Sequence, residues 1–547
     1  MAQVNDIHHA GSEAPAATPA TGGSSWQPLR QPVFRMLWIA TVVSNIGSWM
    51  NDVGINWAML SLSADPLSVA LVQAASSLPM FLFALPSGVM ADIVDRRKFL
   101  LFSQLWVFIA ATGLTVLAFI GYTTPTVLLI SAFLLSAGAA MSSPPFQAIV
   151  PDLVEKKELS AAIALNSLGI NISRAIGPAL GGLILSFAGT WMVFLLNAIS
   201  VLGVAWVLWR WKAEPSVQRL PPENFFSAVR AGVRYVHAAP VLRNVLVRTV
   251  AFFVFGSAGW ALLPLVARRE LGLGPGGYGI MLAAIGVGAI VGAIMLPRLR
   301  ARFNPDRLMV LASMMFAITM LALAWIRDFW LLNAFEFFTG FAWIAVLSTL
   351  NLGAQRSAAK WVKARALAVY LTVFFGSMTV GSAIWGQLAS RFGIPFSLTV
   401  ATAGMVLACA TVWRWRLDKD PDLNLDISAE ESAIPVPEIA LHRGPVMVNY
   451  HYWINIDEAH AFTVCMQDMR RVRRRGGAMN WAVYEDILQP GLFVETFVVG
   501  SWVDYLRQQD RYTINDRKIQ HRVLAFHQGS TPPEVRFLVA PVSTQHR

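Results

Sequence analysis

The sequence predicts an all-α membrane protein of twelve transmembrane helices in two six-helix repeats, followed by a small C-terminal α+β domain. Three observations predict it. Of 547 residues, 55% are hydrophobic and only 14% charged, where a soluble globular chain carries roughly a quarter charged residues. Asp, Glu, Lys and Arg are absent from residues 66–91 and again from 99–151, runs too long for a soluble core. Beyond residue 416 the composition turns polar and short strand-like segments replace the long apolar ones.

Residues 1–30, rich in Ala, Pro, Thr, Gly and Ser, read as a disordered cytoplasmic tail without a cleaved signal peptide. Crossing about 30 Å of hydrocarbon takes roughly 20 helical residues. On that measure the N-terminal bundle, residues 31–211, holds spans at 34–62, 67–91, 99–120, 126–141, 161–187 and 191–209. A polar cytoplasmic central loop, 212–240, leads to the second bundle, 241–416, with spans at 241–267, 276–296, 308–326, 329–350, 366–389 and 395–415. With both termini cytoplasmic, the inside loops hold eighteen Lys and Arg against four outside. The positive-inside rule turns that bias into an orientation in the inner (plasma) membrane. The net charge of +11 is spread over these short clusters, which argues against nucleic acid as a partner.

The halves echo each other. Gly88 opens Gly-Val-Met-Ala-Asp-Ile-Val-Asp-Arg-Arg-Lys after the second span, and Gly292 opens Gly-Ala-Ile-Met-Leu-Pro-Arg-Leu-Arg-Ala-Arg after the eighth. Parallel six-helix repeats imply alternating access. Asp92 stands at a helix C-terminus, where the macrodipole disfavours a carboxylate. With Asp95, Arg96 and Arg97 it makes a candidate cytoplasmic gate, a topology anchor being the plainer reading.

The pattern Gly88-x3-Asp92-x2-Asp95-Arg96-Arg97 resembles the signature between helices two and three of the major facilitator superfamily, with Asp95 where a glycine is usual. Leu296 replaces the carboxylate in the second copy, so the resemblance implies a gate only in the first. In the fifth span, Ser173-Arg174-Ala175-Ile176-Gly177-Pro178-Ala179-Leu180-Gly181-Gly182 resembles the helix-five motif of the superfamily's proton antiporters, with Ser173 in place of the first glycine. That likeness implies export. Gly177, Gly181 and Gly182 permit close helix approach and Pro178 a bend. Pro144-Pro145-Phe146-Gln147, Ala164-Leu165-Asn166-Ser167 and Asn171-Ile172-Ser173-Arg174 are similar to the transmembrane secretion effector branch that includes the enterobactin exporter. This resemblance covers about residues 30–415.

Ionisable side chains inside spans cost roughly 2.5 to 3.5 kcal/mol each and normally face a cavity or a partner. Three stand out as proton-coupling candidates: Asp52, Glu336 and Arg174. Asn45, Asp52 and Asn56 share one helix face by spacing, which with Trp57 makes a candidate substrate wall. A carboxylate in a partly dry cavity can take up and release a proton near neutral pH. Trp49, Trp260, Trp343 and Trp385 are further stacking candidates, with packing as the ordinary role for each.

An acidic linker, 417–444, leads to a cytoplasmic domain, 445–547. Strands at 446–454, 478–484, 492–499 and 535–539 alternate with a helix capped by Asp457 and a second helix at 502–516, an order that predicts a ferredoxin-like fold. The domain resembles the antibiotic-biosynthesis monooxygenase family, which implies dimerisation. His451, Trp453, Trp481 and His521 are its candidate pocket residues, and the basic run from Arg470 to Arg475 a candidate contact for membrane lipids.

The expected function is proton-coupled export of a small hydrophobic or amphipathic molecule, siderophore-like or drug-like, by alternating access. No catalytic residue, cofactor or metal is expected: no nucleotide-binding loop is present, and the two cysteines, Cys409 and Cys465, make no cluster. A lipid or metabolite importer, a membrane-anchored monooxygenase and a sensor without transport are the alternatives.

Overall fold

The computed structural model describes residues 26–155, 158–211, 239–358, 363–417 and 443–540. The N-terminal tail to residue 25, Lys156, Lys157, the central loop at 212–238, Lys360, the linker at 418–442 and residues 541–547 lie outside them.

The described chain up to residue 408 folds into twelve long helices. The first half holds α1 (Pro32–Leu62), α2 (Pro66–Ile93), α3 (Arg96–Phe119), α4 (Pro125–Ile149), α5 (Leu159–Ala188) and α6 (Thr190–Arg210). The second holds α7 (Pro240–Leu265), α8 (Pro275–Arg302), α9 (Pro305–Trp325), α10 (Phe329–Arg356), α11 (Lys363–Phe392) and α12 (Ile394–Ala408). Eleven are long and apolar enough to cross a membrane. The helix short of that measure is α1, which has the length but carries Asn45, Asn51, Asp52 and Asn56.

Six of these helices start on a proline, whose missing N–H and fixed φ suit the first helical position. Two ends differ from the sequence expectation. Helix α4 runs on through Pro144 and Pro145 to Ile149, because membrane helices tolerate proline where neighbours re-satisfy the freed carbonyls. Helix α12 stops at Ala408 and gives way to a 3-10 turn, Cys409–Trp413.

Packing repeats with a step of six helices. The pairs α1·α5, α1·α6, α2·α4, α3·α4 and α3·α6 have counterparts in α7·α11, α7·α12, α8·α10, α9·α10 and α9·α12. The halves meet chiefly through α2·α11 and α5·α8, and these two pairs exchange under the same step. At α5·α8 the contact is backbone on backbone. A Cβ added to Gly182 would stand 2.6 Å from the Pro275 carbonyl oxygen, and one on Gly279 would stand 2.7 Å from that of Pro178. Small residues give membrane helices the close approach that a hydrophobic driving force cannot supply in lipid.

The C-terminal unit is an antiparallel sheet in the order β2-β3-β1-β4, built from β1 (Val446–Trp453), β2 (Met479–Glu485), β3 (Leu492–Val499) and β4 (Glu534–Val539). Phe462, Met466, Met469 and Val472 of α13 (Ala459–Arg475) are buried along one face. Asp457 does not cap this helix: Asn455 accepts the Asp457 N–H and opens a 3-10 turn ahead of it. In place of one helix at 502–516 there are two, α14 (Trp502–Asp510) and α15 (Ile514–Leu524). The break follows from a reciprocal capping box between Thr513 and Asp516, which starts a new helix where the first would have continued.

Candidate functional site

A cavity of about 740 Å³ lies within the first half, walled by α1, α3, α4, α5 and α6. Along α1 it runs from Trp38 to Asp52, about 21 Å at 1.5 Å per residue. Among the described residues Asp52 is the only ionisable one in the lining, and it stands exposed at the end of this run away from Trp38. The polar part of the cavity wall is made of hydroxyls and amides, with Asn45, Ser48 and Asn51 from α1, Ser136, Ser143 and Gln147 from α4, Asn166 from α5 and Asn197 from α6. The amide oxygens of Asn51 and Asn197 are buried without hydrogen-bond partners among the described residues, as is the Thr41 hydroxyl. Buried acceptors left empty cost about 1 to 3 kcal/mol each, so this wall is set to receive donors. Trp38, Trp49 and Phe146 add apolar surface.

Just beyond Asp52 along the chain, the first half meets the other half. Trp57 stacks on Tyr278 of α8, centroids 6.4 Å apart, and lies under Arg268 at 5.5 Å. Arg268 also donates to the Ser61 hydroxyl at 3.1 Å. A single π-helical turn, Val266–Glu270, carries Arg268 at the end of α7. Beside it Ser390 of α11 donates to Asp65 at 2.6 Å, the same oxygen that caps the first turn of α2.

The sequence-predicted residues divide accordingly. Asn45 and Asp52 line the cavity, whereas Asn56 and Trp57 do not. The Asn56 amide turns back to the Asp52 carbonyl oxygen at 2.8 Å, and Trp57 belongs to the cross-half stack. Arg174 lies over the Trp49 ring at 5.5 Å with its Nε unpartnered, and among the described residues no ion pair joins it to Asp52 or Glu336. Glu336 is in the second half, 2% exposed, beside a small enclosed space with Trp260, Phe316 and Thr339. Trp260 and Trp343 pack in an aromatic cluster with Phe252, Phe253 and Phe374, and Trp385 donates to the Val254 carbonyl oxygen.

In the helix-five motif, Ser173 donates to the Val42 and Gly169 carbonyl oxygens. Gly177 and Gly181 face Trp49 and Met50 of α1, while Gly182 and the Pro178 carbonyl face α8. The motif thus clamps α5 to two helices at once. In the gate candidate, Asp95 caps α3 by accepting the Lys98 N–H at 2.9 Å. Arg97 donates to the Leu208 and Trp209 carbonyl oxygens at 2.8 and 2.5 Å, a cation on the C-terminus of α6 where the macrodipole favours it. Gly88 has open space around it and Arg96 begins α3. The Asp92 side chain lies outside the described residues.

The polar wall on α4 was missed from sequence. Its signal was present: Ser136, Ser143 and Gln147 are seven and four residues apart in an otherwise apolar helix, which places them on one face.

In the C-terminal unit the basic run is partly internal. Arg473 and Glu495 are fully buried and bonded at 3.0 and 3.1 Å. Tyr452 donates to Glu495 at 3.2 Å and Trp481 at 2.8 Å, while Arg473 donates to Tyr512 at 2.5 Å. Burial works against the Arg473 charge, but Glu495, Tyr512 and Tyr450 together hold its pKa above the ordinary arginine value. Burial, then the Glu495 charge, pushes the Tyr452 phenol well up, so it remains a donor. Arg475 pairs with Asp516 and Arg471 with Asp468. The expected pocket is not assembled: Trp481 points to Glu495, whereas His451 and Trp453 alternate with the core residues Tyr450 and Tyr452 along β1 and so occupy the opposite face. Among the described residues no group of three or more His, Cys, Asp or Glu could hold a metal.

The model of a family described as transmembrane secretion effector matches residues 23–545. The chain is 23% identical over 391 residues to the staphyloferrin A transporter of Staphylococcus aureus, covering 70% of this chain and 96% of that one. It is 22% identical to the multidrug efflux pump Tap of Mycolicibacterium fortuitum, over 69% of this chain and 94% of the relative. With the enterobactin exporter of Escherichia coli it shares 25% identity over 58% of this chain and 76% of the exporter. Among solved structures, a bacterial homolog of the human lysosomal transporter Spinster, inward-facing and occupied, superposes with a TM-score of 0.56 at 15% identity, over 72% of this chain and 97% of that one. A bacterial homologue of the iron transporter ferroportin, inward-facing, gives 0.56 at 15%, over 70% and 98%.

Proposed function

Since the chain belongs to the transmembrane secretion effector family of major facilitator transporters, we propose that it is a proton-coupled exporter of a small amphipathic molecule, siderophore-like or drug-like, working by alternating access between its two halves. One observation carries the reading: among the described residues that line the large cavity of the first half, Asp52 alone is ionisable. Protonated Asp52 donates to its surroundings; ionised, it attracts donors and cations. Substrate and proton therefore compete for one carboxylate, which is the requirement for exchange. The export direction is supported by the exporters and efflux pump among the relatives.

In this reading all twelve long helices span the inner membrane with both termini cytoplasmic, as the loop charges argue. The cross-half contacts of Trp57, Ser61 and Asp65 then close the outer side, and the cavity belongs to an inward-facing state. Glu336, apart from the cavity, is a secondary proton site. Asp92, Asp95, Arg96 and Arg97 act at the cytoplasmic gate, with Arg97 anchoring α3 to α6. The C-terminal unit is ferredoxin-like, supported by its β2-β3-β1-β4 order, and serves dimerisation.

The test is efflux in inverted vesicles with an acid interior, using a panel of siderophores and hydrophobic drugs. Substrate-driven proton release in wild type and its loss in Asp52→Asn are expected. Equal release in the variant moves the coupling site elsewhere.

A further inference from the structure

Outside the transport cavity, a second pocket of about 540 Å³ opens where α9 begins and the chain leaves α12. Its walls are of two kinds. Val310, Leu311, Val412 and Trp413 make an apolar side, and Arg307 and Arg416 stand at the other, both exposed. Neither guanidinium has a hydrogen bond or ion pair among the described residues. Asp306, which also borders the pocket, is already engaged: its oxygens accept the Leu417 N–H at 3.1 and 3.2 Å and face Arg248 at 3.8 Å.

The apolar side continues out of the pocket along the bundle surface. On α9, Leu311, Ile318 and Trp325 are 53%, 56% and 63% exposed, and their spacing of seven puts them in one row. On the neighbouring α12, Val400 and Leu407 are also exposed, and Trp413 is 82% exposed beside the arginines. Exposed aliphatic rows on a membrane-spanning bundle face acyl chains, and a tryptophan so exposed at a helix end marks the interface. The row therefore leads from hydrocarbon to the two arginines that line the pocket.

We propose that this pocket is a binding site for one anionic phospholipid, its phosphate held by Arg307 and Arg416 and its acyl chain laid along Leu311 and Ile318. The apolar row selects a lipid over a free anion; the paired arginines select an anionic headgroup over a zwitterionic one. Basic pockets between membrane helices hold such headgroups through contacts that a solvated cation cannot make.

The experiment is native mass spectrometry of the full-length protein in detergent, titrated with phosphatidylglycerol or phosphatidylcholine, with glycerophosphate and inorganic phosphate as competitors. Each arginine beside an anionic lipid is worth about fivefold in binding, so Arg307→Gln with Arg416→Gln is expected to weaken phosphatidylglycerol roughly 25-fold and leave phosphatidylcholine unchanged. Arg302→Gln removes a nearby exposed charge outside the pocket and is expected to have no effect. The double lysine variant keeps both charges and is expected to keep the preference, which separates loss of charge from loss of fold. Equal binding of the two lipids by wild type, an equal loss in Arg302→Gln, or full displacement by glycerophosphate overturns the proposal.

Discussion

Replacing Gly182 by alanine tests whether the close approach of α5 and α8 stabilises one access state. The new Cβ would stand 2.6 Å from the Pro275 carbonyl oxygen and 3.2 Å from the Gly279 Cα, where ordinary contact begins at 3.4 Å. Both neighbours are backbone, so no side chain can swing away, and the helices must part by about 0.8 Å, the difference between the 2.6 and 3.4 Å distances. Overpacking of this kind costs about 1 to 3 kcal/mol. Alanine also favours helix by about 1 kcal/mol over glycine, but in both access states alike, so that gain cancels. The state with α5 against α8 should lose between roughly fivefold and 150-fold in population. Spin labels on cysteines at Phe187 and Ile280, with Cys409 and Cys465 replaced, would report the separation by pulsed electron resonance. A shift to longer distances and slower efflux is expected, with Gly113→Ala of α3 as a control because a Cβ there meets nothing within 4 Å. An unchanged distance distribution in Gly182→Ala would refute the steric argument.

Other expectations bear on separate parts of the chain. Asp65→Ala should lower the thermal midpoint more than Ser390→Ala, since the first removes a helix cap worth about 1 kcal/mol as well as the cross-half bond; equal shifts would mean that the cap contributes nothing. Glu495→Gln leaves Arg473 buried without its counter-charge and should destabilise the C-terminal unit by roughly 3 to 5 kcal/mol. Hydrogen exchange of β1 and β3 in the full-length protein measures this, and unaltered protection would contradict it. Replacing both by Met and Leu should recover most of that loss.

Much of the helical architecture was legible because its signals are local. Proline at Pro66, Pro125, Pro240, Pro275 and Pro305 marks a helix start within one to three residues of the expected one, and charge-free runs mark the interiors. The same residue type misled at Pro144 and Pro145, where surrounding helices, invisible in a linear sequence, carry α4 onward. Asp52 could be picked out because a carboxylate in a membrane helix demands a reason. Its surroundings could not: the cavity is assembled from five helices, and Asn197 approaches Asn51 only after α1 and α6 pack together. Trp57 shows the limit of face arguments. Beside Asp52 and Asn56 in sequence it reads as substrate wall, but its partner, Tyr278, is more than two hundred residues away in sequence. In the C-terminal unit, the run from Arg470 to Arg475 read as outward charge, yet Arg473 faces inward, where the buried Glu495 of β3 pairs with it.

Every described residue that lines the large cavity belongs to the first half of the molecule, while the contacts beyond Asp52 each pair one residue of that half with one of the other. If the cavity holds the cargo, substitutions that retune it fall in the first half alone, whereas any change at Trp57, Ser61 or Asp65 must be matched across the sequence by Tyr278, Arg268 or Ser390.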